Sequence, residues 1–191
     1  MKMRRILFFY LVTGYCISLC SCDNKWGSGD KNNYDSLFLG ISFGMEKTAF
    51  YNHCWELNRQ NVFTHGPSNT SVEYRLVNEL EQPVLMRFYP SFHKDRIYEM
   101  PVTFSYEAWA PWNKQYSSDA LLKNMLTIFK KWYAEDFKLI QHPRMGAVYV
   151  KMDGKRRINL FIRDDQFVQA VFTDLEIERE KKLEEEKGSN N

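Results

Sequence analysis

The chain has 191 residues, of which 44% are hydrophobic, 26% charged and 16% aromatic, with a formal net charge of +2. These proportions exclude a disordered polymer, and nine glycines with six prolines exclude a collagenous or low-complexity chain. The length suits one domain with a real core, and the near-neutral balance lacks the basic footprint of a nucleic-acid binder.

Residues 1–21 read as a processed segment. Lys2, Arg4 and Arg5 precede a run from Ile6 to Leu19 that carries no charge, the layout of a secretory signal. The run is too short to span a bilayer core as a helix, which takes about 20 residues. Removing the segment takes away Lys2, Arg4 and Arg5 from 26 basic side chains, leaving 23 against 24 acidic ones.

Leu19-Cys20-Ser21-Cys22 resembles the lipobox of bacterial lipoproteins, in which an aliphatic residue at −3 and a small one at −1 precede the modified cysteine. Cys20 is a poorer match, because Leu19 before it is too large. The resemblance implies diacylation of Cys22 with palmitate-type chains and removal of the signal. It also implies an exported, lipid-anchored protein of the cell envelope, with the outer membrane as the expected site. Asp23 leaves inner-membrane retention open, and a plain secreted protein cut near Ser21 is the alternative. Two or more acyl chains, at about 0.8 kcal/mol per buried methylene, make such an anchor stable. Cys16 and Cys20 leave with the signal, so Cys54 is expected as the one free thiol, buried and inert.

Residues 22–36 are rich in Gly, Ser, Asn and Asp and read as a tether. One domain is expected over 37–175. It opens with the glycine-punctuated run 37–44, followed by a helix over 46–60 carried by Phe50, Cys54 and Leu57. Strands are expected over 71–77, 83–89, 96–100 and 102–107, with Pro83, Pro90 and Pro101 at their ends or edges. Ser117 or Ser118 is placed to cap a second helix over 119–136, striped with Leu122, Met125, Leu126, Phe129, Trp132 and Tyr133.

Three more strands are expected over 147–152, 157–163 and 167–173. Asp153-Gly154 turns the first pair and Asp164-Asp165 the second. Tyr149, Ile158, Leu160, Ile162, Phe167 and Val171 would form their core face, although Val148 and Phe161 blur the alternation. Residues 176–191 read as a charged helical or fraying tail, disordered from Gly188.

The expected fold is α+β, an antiparallel twisted sheet with two amphipathic helices on one face. Helix-plus-three-strands is a candidate duplication. In outline this resembles small envelope domains such as the outer-membrane assembly lipoprotein BamE and the β-lactamase-inhibitor-like domains. Gly-Ile-Ser-Phe-Gly-Met at 40–45 before a helix is similar to the start of some Gram-negative lipoprotein domains. The likeness implies binding or scaffolding and carries over no catalytic residue.

Reaction chemistry is not legible in the chain. It contains neither a phosphate-cradling glycine loop nor HExxH or CxxC. His53, His65, His93 and His142 are scattered, and His53 beside Cys54 is poorly placed to share a metal. No cofactor, metal or catalytic residue is therefore assigned.

The candidate contact residues are Tyr106, Trp109, Trp112 and Tyr116, packed around Pro111 in a loop. Exposed, they would meet a protein partner or a glycan; folded back, they would lid the core. Lys155-Arg156-Arg157 is expected on an exposed hairpin, within reach of anionic lipid headgroups. The leading expectation is a non-catalytic, lipid-anchored domain that binds an envelope protein. A glycan-handling lipoprotein is the first alternative and an envelope hydrolase the second.

Overall fold

A computed structural model describes residues 34–189, and the expected signal peptide, Cys22 and most of the tether lie outside them. Strands β1 (Ser36–Phe38) and β2 (Ile41–Ser42) form a small antiparallel hairpin. It turns through Leu39 and Gly40, both at positive φ. Next come α1 (Lys47–Arg59), β3 (Phe63–His65), β4 (Val72–Leu76), β5 (Val84–Phe88), β6 (Ser91–His93) and β7 (Arg96–Tyr106). The second half contains α2 (Ser118–Tyr133), β8 (Lys138–His142), β9 (Gly146–Asp153), β10 (Arg156–Ile162), β11 (Val168–Asp174) and α3 (Leu175–Ser189).

The protein is α+β. Nine antiparallel strands make one sheet in the order β3-β4-β5-β7-β11-β10-β9-β8, with β6 beside the first half of β7. Among the described residues, no helix is long and apolar enough to cross a membrane.

Alternation along the ladders sets one face. Met86, Phe104 and Val168 lie in register, as do Phe88, Val102, Ala170 and Leu160. Helix α2 lays Phe129 on this row, with ring centroids 5.9 Å from Phe104 and 6.0 Å from Phe172. Phe38 of β1 meets Phe88 and Phe172 edge-on. Phe50 of α1 is fully buried against Phe92 and Tyr89. Each such buried Phe contributes about 1.5–3 kcal/mol of transfer free energy. Ser117 accepts a hydrogen bond from the Ala120 N–H at 3.4 Å, so it is the residue that caps α2.

Several sequence expectations shift. The strands expected over 96–100 and 102–107 are one strand, β7, which runs through Pro101. Pro101 lies opposite the Tyr89-Pro90 break between β5 and β6, where the ladder asks for no donor. Strands β3, β6 and β8 were not anticipated, being too short or too polar for a period-two signal. Val171 points away from the core face, paired with Asn159, and Phe167 is half-buried under the Arg163 guanidinium. Val148 and Phe161 also point away, pair with each other across β9 and β10, and are nevertheless buried. The β9–β10 loop is Gly154-Lys155 rather than Asp153-Gly154, with Gly154 at φ +54 in its first position. Gly188 is helical, within α3.

The basic cluster is ion-paired rather than freely exposed: Arg156 is buried, and Lys155 and Arg157 are half-buried. Arg156 is only 7% exposed, on the core face of β10. It donates to Asp153 at 2.8 Å and to the Ser36 carbonyl at 2.6 Å, and stands over the Tyr133 ring. Lys155 pairs with Asp35 and Asp174, and Arg157 pairs with Glu178. Lys151, 2% exposed, bridges Asp136 and Asp153. These charges tie the chain entering at Tyr34–Ser36 to the end of the sheet. Asp174 also accepts from the N–H groups of Glu176 and Ile177, starting α3.

Candidate functional site

The structure separates the four aromatic candidates. Tyr106 is buried at the end of β7, accepts a hydrogen bond from Asn124 at 2.7 Å and lies 5.3 Å from the Tyr116 ring. Trp109 folds back, packing on the core cluster and donating its indole N–H to the Asp165 carbonyl at 3.3 Å. Trp112 points out, 84% exposed. The two tryptophans therefore form no stacked pair. Tyr106 and Tyr116 line an open cleft of about 540 Å³ with Gln82, Gln115 and Asn124.

A second group of aromatics was missed by sequence reasoning. An apolar groove of about 310 Å³ lies between α1 and the β3–β4 edge, floored by Phe50, Phe63 and Cys54. Its rim carries Trp55 at 63% exposure, Tyr51 at 43% and Tyr89 at 41%. The Tyr51 and Tyr89 hydroxyls are 2.6 Å apart, and the Arg59 guanidinium stacks on Trp55 at 4.8 Å. That hydrogen bond, with burial, pushes the Tyr89 hydroxyl up to about 12. A signal was present in the chain. Tyr51 and Trp55 lie off the Phe50–Cys54–Leu57 stripe, on the outer side of an amphipathic helix where large aromatics are not needed for the core.

Cys54 is half-buried beneath this groove, and burial pushes its thiol up to about 12. Its thiolate fraction at neutral pH is correspondingly small. Native protein treated with iodoacetamide at pH 8 is expected to leave Cys54 unmodified over times that fully alkylate it in urea, as read by peptide mass spectrometry. Equal rates in the two conditions would contradict the packing of α1.

Acid–base candidates take structural roles. Asp164 accepts from the N–H groups of Gln166 and Phe167 and so builds the β10–β11 turn. Burial pushes its carboxyl up, but Arg163 and those N–H groups outweigh it and hold it below the ordinary range. His53 Nε2 lies 2.7 Å from the Leu39 carbonyl and donates to it. That ring packs so closely on Gly40, at φ +78, that a Cβ there would come within 3.0 Å of it. The arrangement is suited to holding a ligand by an aromatic rim over an apolar floor. Comparison with family models, curated proteins and solved structures finds no match for this chain.

Proposed function

We propose that this protein is a non-catalytic, lipid-anchored domain of the cell envelope that binds a protein partner through the groove between α1 and the β3–β4 edge. The observation that carries this reading is the rim of three exposed aromatics, Trp55, Tyr51 and Tyr89, around an apolar floor. Tyr and Trp over a desolvated pocket are the residues that dominate protein–protein binding energies. Strand β3 lies at the sheet edge, so an extended partner segment has backbone groups to pair with beside the groove.

The anchor belongs to the same proposal and rests on the Cys22 motif. The finer architecture is likewise part of the proposal. Two helix-plus-strands halves meeting at β7–β11 are our reading of the mirrored strand order, with α1 and α2 on one face as their contacts with the core row suggest.

A photo-crosslinking residue at position 55 is expected to give one discrete protein adduct in intact cells, and the same residue at position 112 none. Trp55→Ala should weaken the isolated complex by about 30-fold, the size of a hot-spot loss. Equal labelling from both positions would remove the groove from consideration. Cys22→Ala should lose the acyl label and leave the membrane fraction; a variant that keeps both overturns the anchor.

A second reading, glycan binding, has its own support in the cleft of Tyr106 and Tyr116. There, amide side chains of Gln82, Gln115 and Asn124 surround two rings. Its mark would be an oligosaccharide affinity lost in Tyr116→Ala and unchanged in Trp55→Ala.

A further inference from the structure

The C-terminal helix brings two carboxylates to a histidine that lines neither the groove nor the cleft described above. Glu180 and Glu184 are one turn apart on α3, on the side that meets the β6–β7 turn. His93, at the end of β6, is 15% exposed. Its Nε2 atom is buried and has no hydrogen-bond partner. That nitrogen lies 3.4 Å from Glu184 Oε2. One ligand atom each from His93, Glu180 and Glu184 lie within 4.8 Å of one another, the one such cluster found among the described residues.

We propose that His93, Glu180 and Glu184 bind a zinc-class divalent cation, with a fourth coordination position left open. A tetrahedral ion with bonds of about 2.0–2.2 Å places neighbouring ligand atoms about 3.4 Å apart. The His93–Glu184 separation already has that value, and Glu180 has a ligand atom within 4.8 Å of both. One imidazole and two carboxylates suit zinc or a similar first-row dication, whereas calcium takes six to eight oxygens. His93 and Glu180 also line a cleft of about 350 Å³ between α3 and the neighbouring turn, which gives room for water or a partner's donor at the fourth position.

The site holds its own competitor. The Lys94 ammonium sits 2.5 Å from Glu180 Oε1 and 2.8 Å from Glu184 Oε1. It opposes a second cation at the same carboxylates. Metal binding therefore exchanges a lysine contact for coordination bonds and fastens α3 to the β6–β7 turn.

Titration of zinc chloride into the detergent-solubilised full chain, followed by calorimetry, tests this. Cobalt(II) substitution adds the visible absorption of a tetrahedral site. One equivalent is expected to bind, with affinity falling about 100-fold in His93→Ala and in Glu184→Gln. Lys94→Gln is expected to bind about threefold to tenfold more tightly, because a like charge has gone. That variant removes only a surface lysine, so its gain cannot be mistaken for misfolding. Zinc affinity unchanged in His93→Ala, weaker binding in Lys94→Gln, or no binding at millimolar zinc would each overturn the site.

Discussion

Phe129→Ala is expected to cost about 3–5 kcal/mol, the range for deleting a fully buried aromatic from a packed core. The ring lies on the buried face of α2 and meets Phe104, Trp132, Tyr133, Phe137 and Phe172, joining the helix to both central strands of the sheet. No neighbour can fill the void, because Phe104 and Phe172 are held in the sheet ladder and α2 is capped at Ser117. A typical domain has about 5–15 kcal/mol of total stability, so the variant should lie close to unfolding. Urea titration followed by circular dichroism should show a lower midpoint with an unchanged slope. Trp112→Ala, at a position 84% exposed, should stay within about 0.5 kcal/mol of the parent. A loss below 1 kcal/mol in Phe129→Ala, on the scale of an ordinary surface change, would refute the core described here.

Asp153→Ala should have a comparable effect by a different route. Asp153 is the carboxylate shared by two buried cations, 2.8 Å from Lys151 and 2.8 Å from Arg156. Removing it leaves Lys151 with only the exposed Asp136, and Arg156 with a carbonyl and the Tyr34 and Tyr133 rings. Breaking a buried ion pair from one side typically costs about 3–5 kcal/mol, because a charge stays in the interior without compensation. Adding Lys151→Met should recover part of the loss, since an apolar side chain needs no counter-charge there. A double-mutant cycle with no coupling would show that the two groups do not share the site.

The same network sets a pH window. The hydrogen bond from Lys151, outweighing slight burial, holds the Asp136 carboxyl below its usual 3.8. Its contribution is present above the unfolded value and lost as pH falls through the lowered one. Burial pushes Lys151 down, but Asp136 and Asp153 together outweigh it and raise it above 10.5. That contribution is present below the unfolded value and lost as pH rises through the raised one. Asp153→Ala takes a carboxylate from Lys151, so the alkaline loss of stability should move to lower pH. Asp136 is mostly exposed, so solvent screens its share and the acid limb should be shallow.

The sequence by itself determined the elements whose signal is local. The α2 stripe, a serine cap at Ser117 or Ser118, the paired strands of the second half and the Asp164 turn all follow from period, capping and turn chemistry within a few residues. They needed no knowledge of what lay opposite. Tertiary structure alone decided the rest, because the deciding contact in each case is distant along the chain. Strands β3, β6 and β8 exist because longer strands offer them a ladder. Pro101 stays inside β7 because the chain opposite it breaks at Pro90. Arg156 and Lys151 are buried because Asp153 and Asp136 meet them. Trp109 packs inward and Trp112 does not, although only two residues lie between them. The aromatic rim at Trp55 and the His93–Glu180–Glu184 cluster join residues from separate elements. Neither can be read from spacing, since a sheet brings residues together by register rather than by distance along the chain.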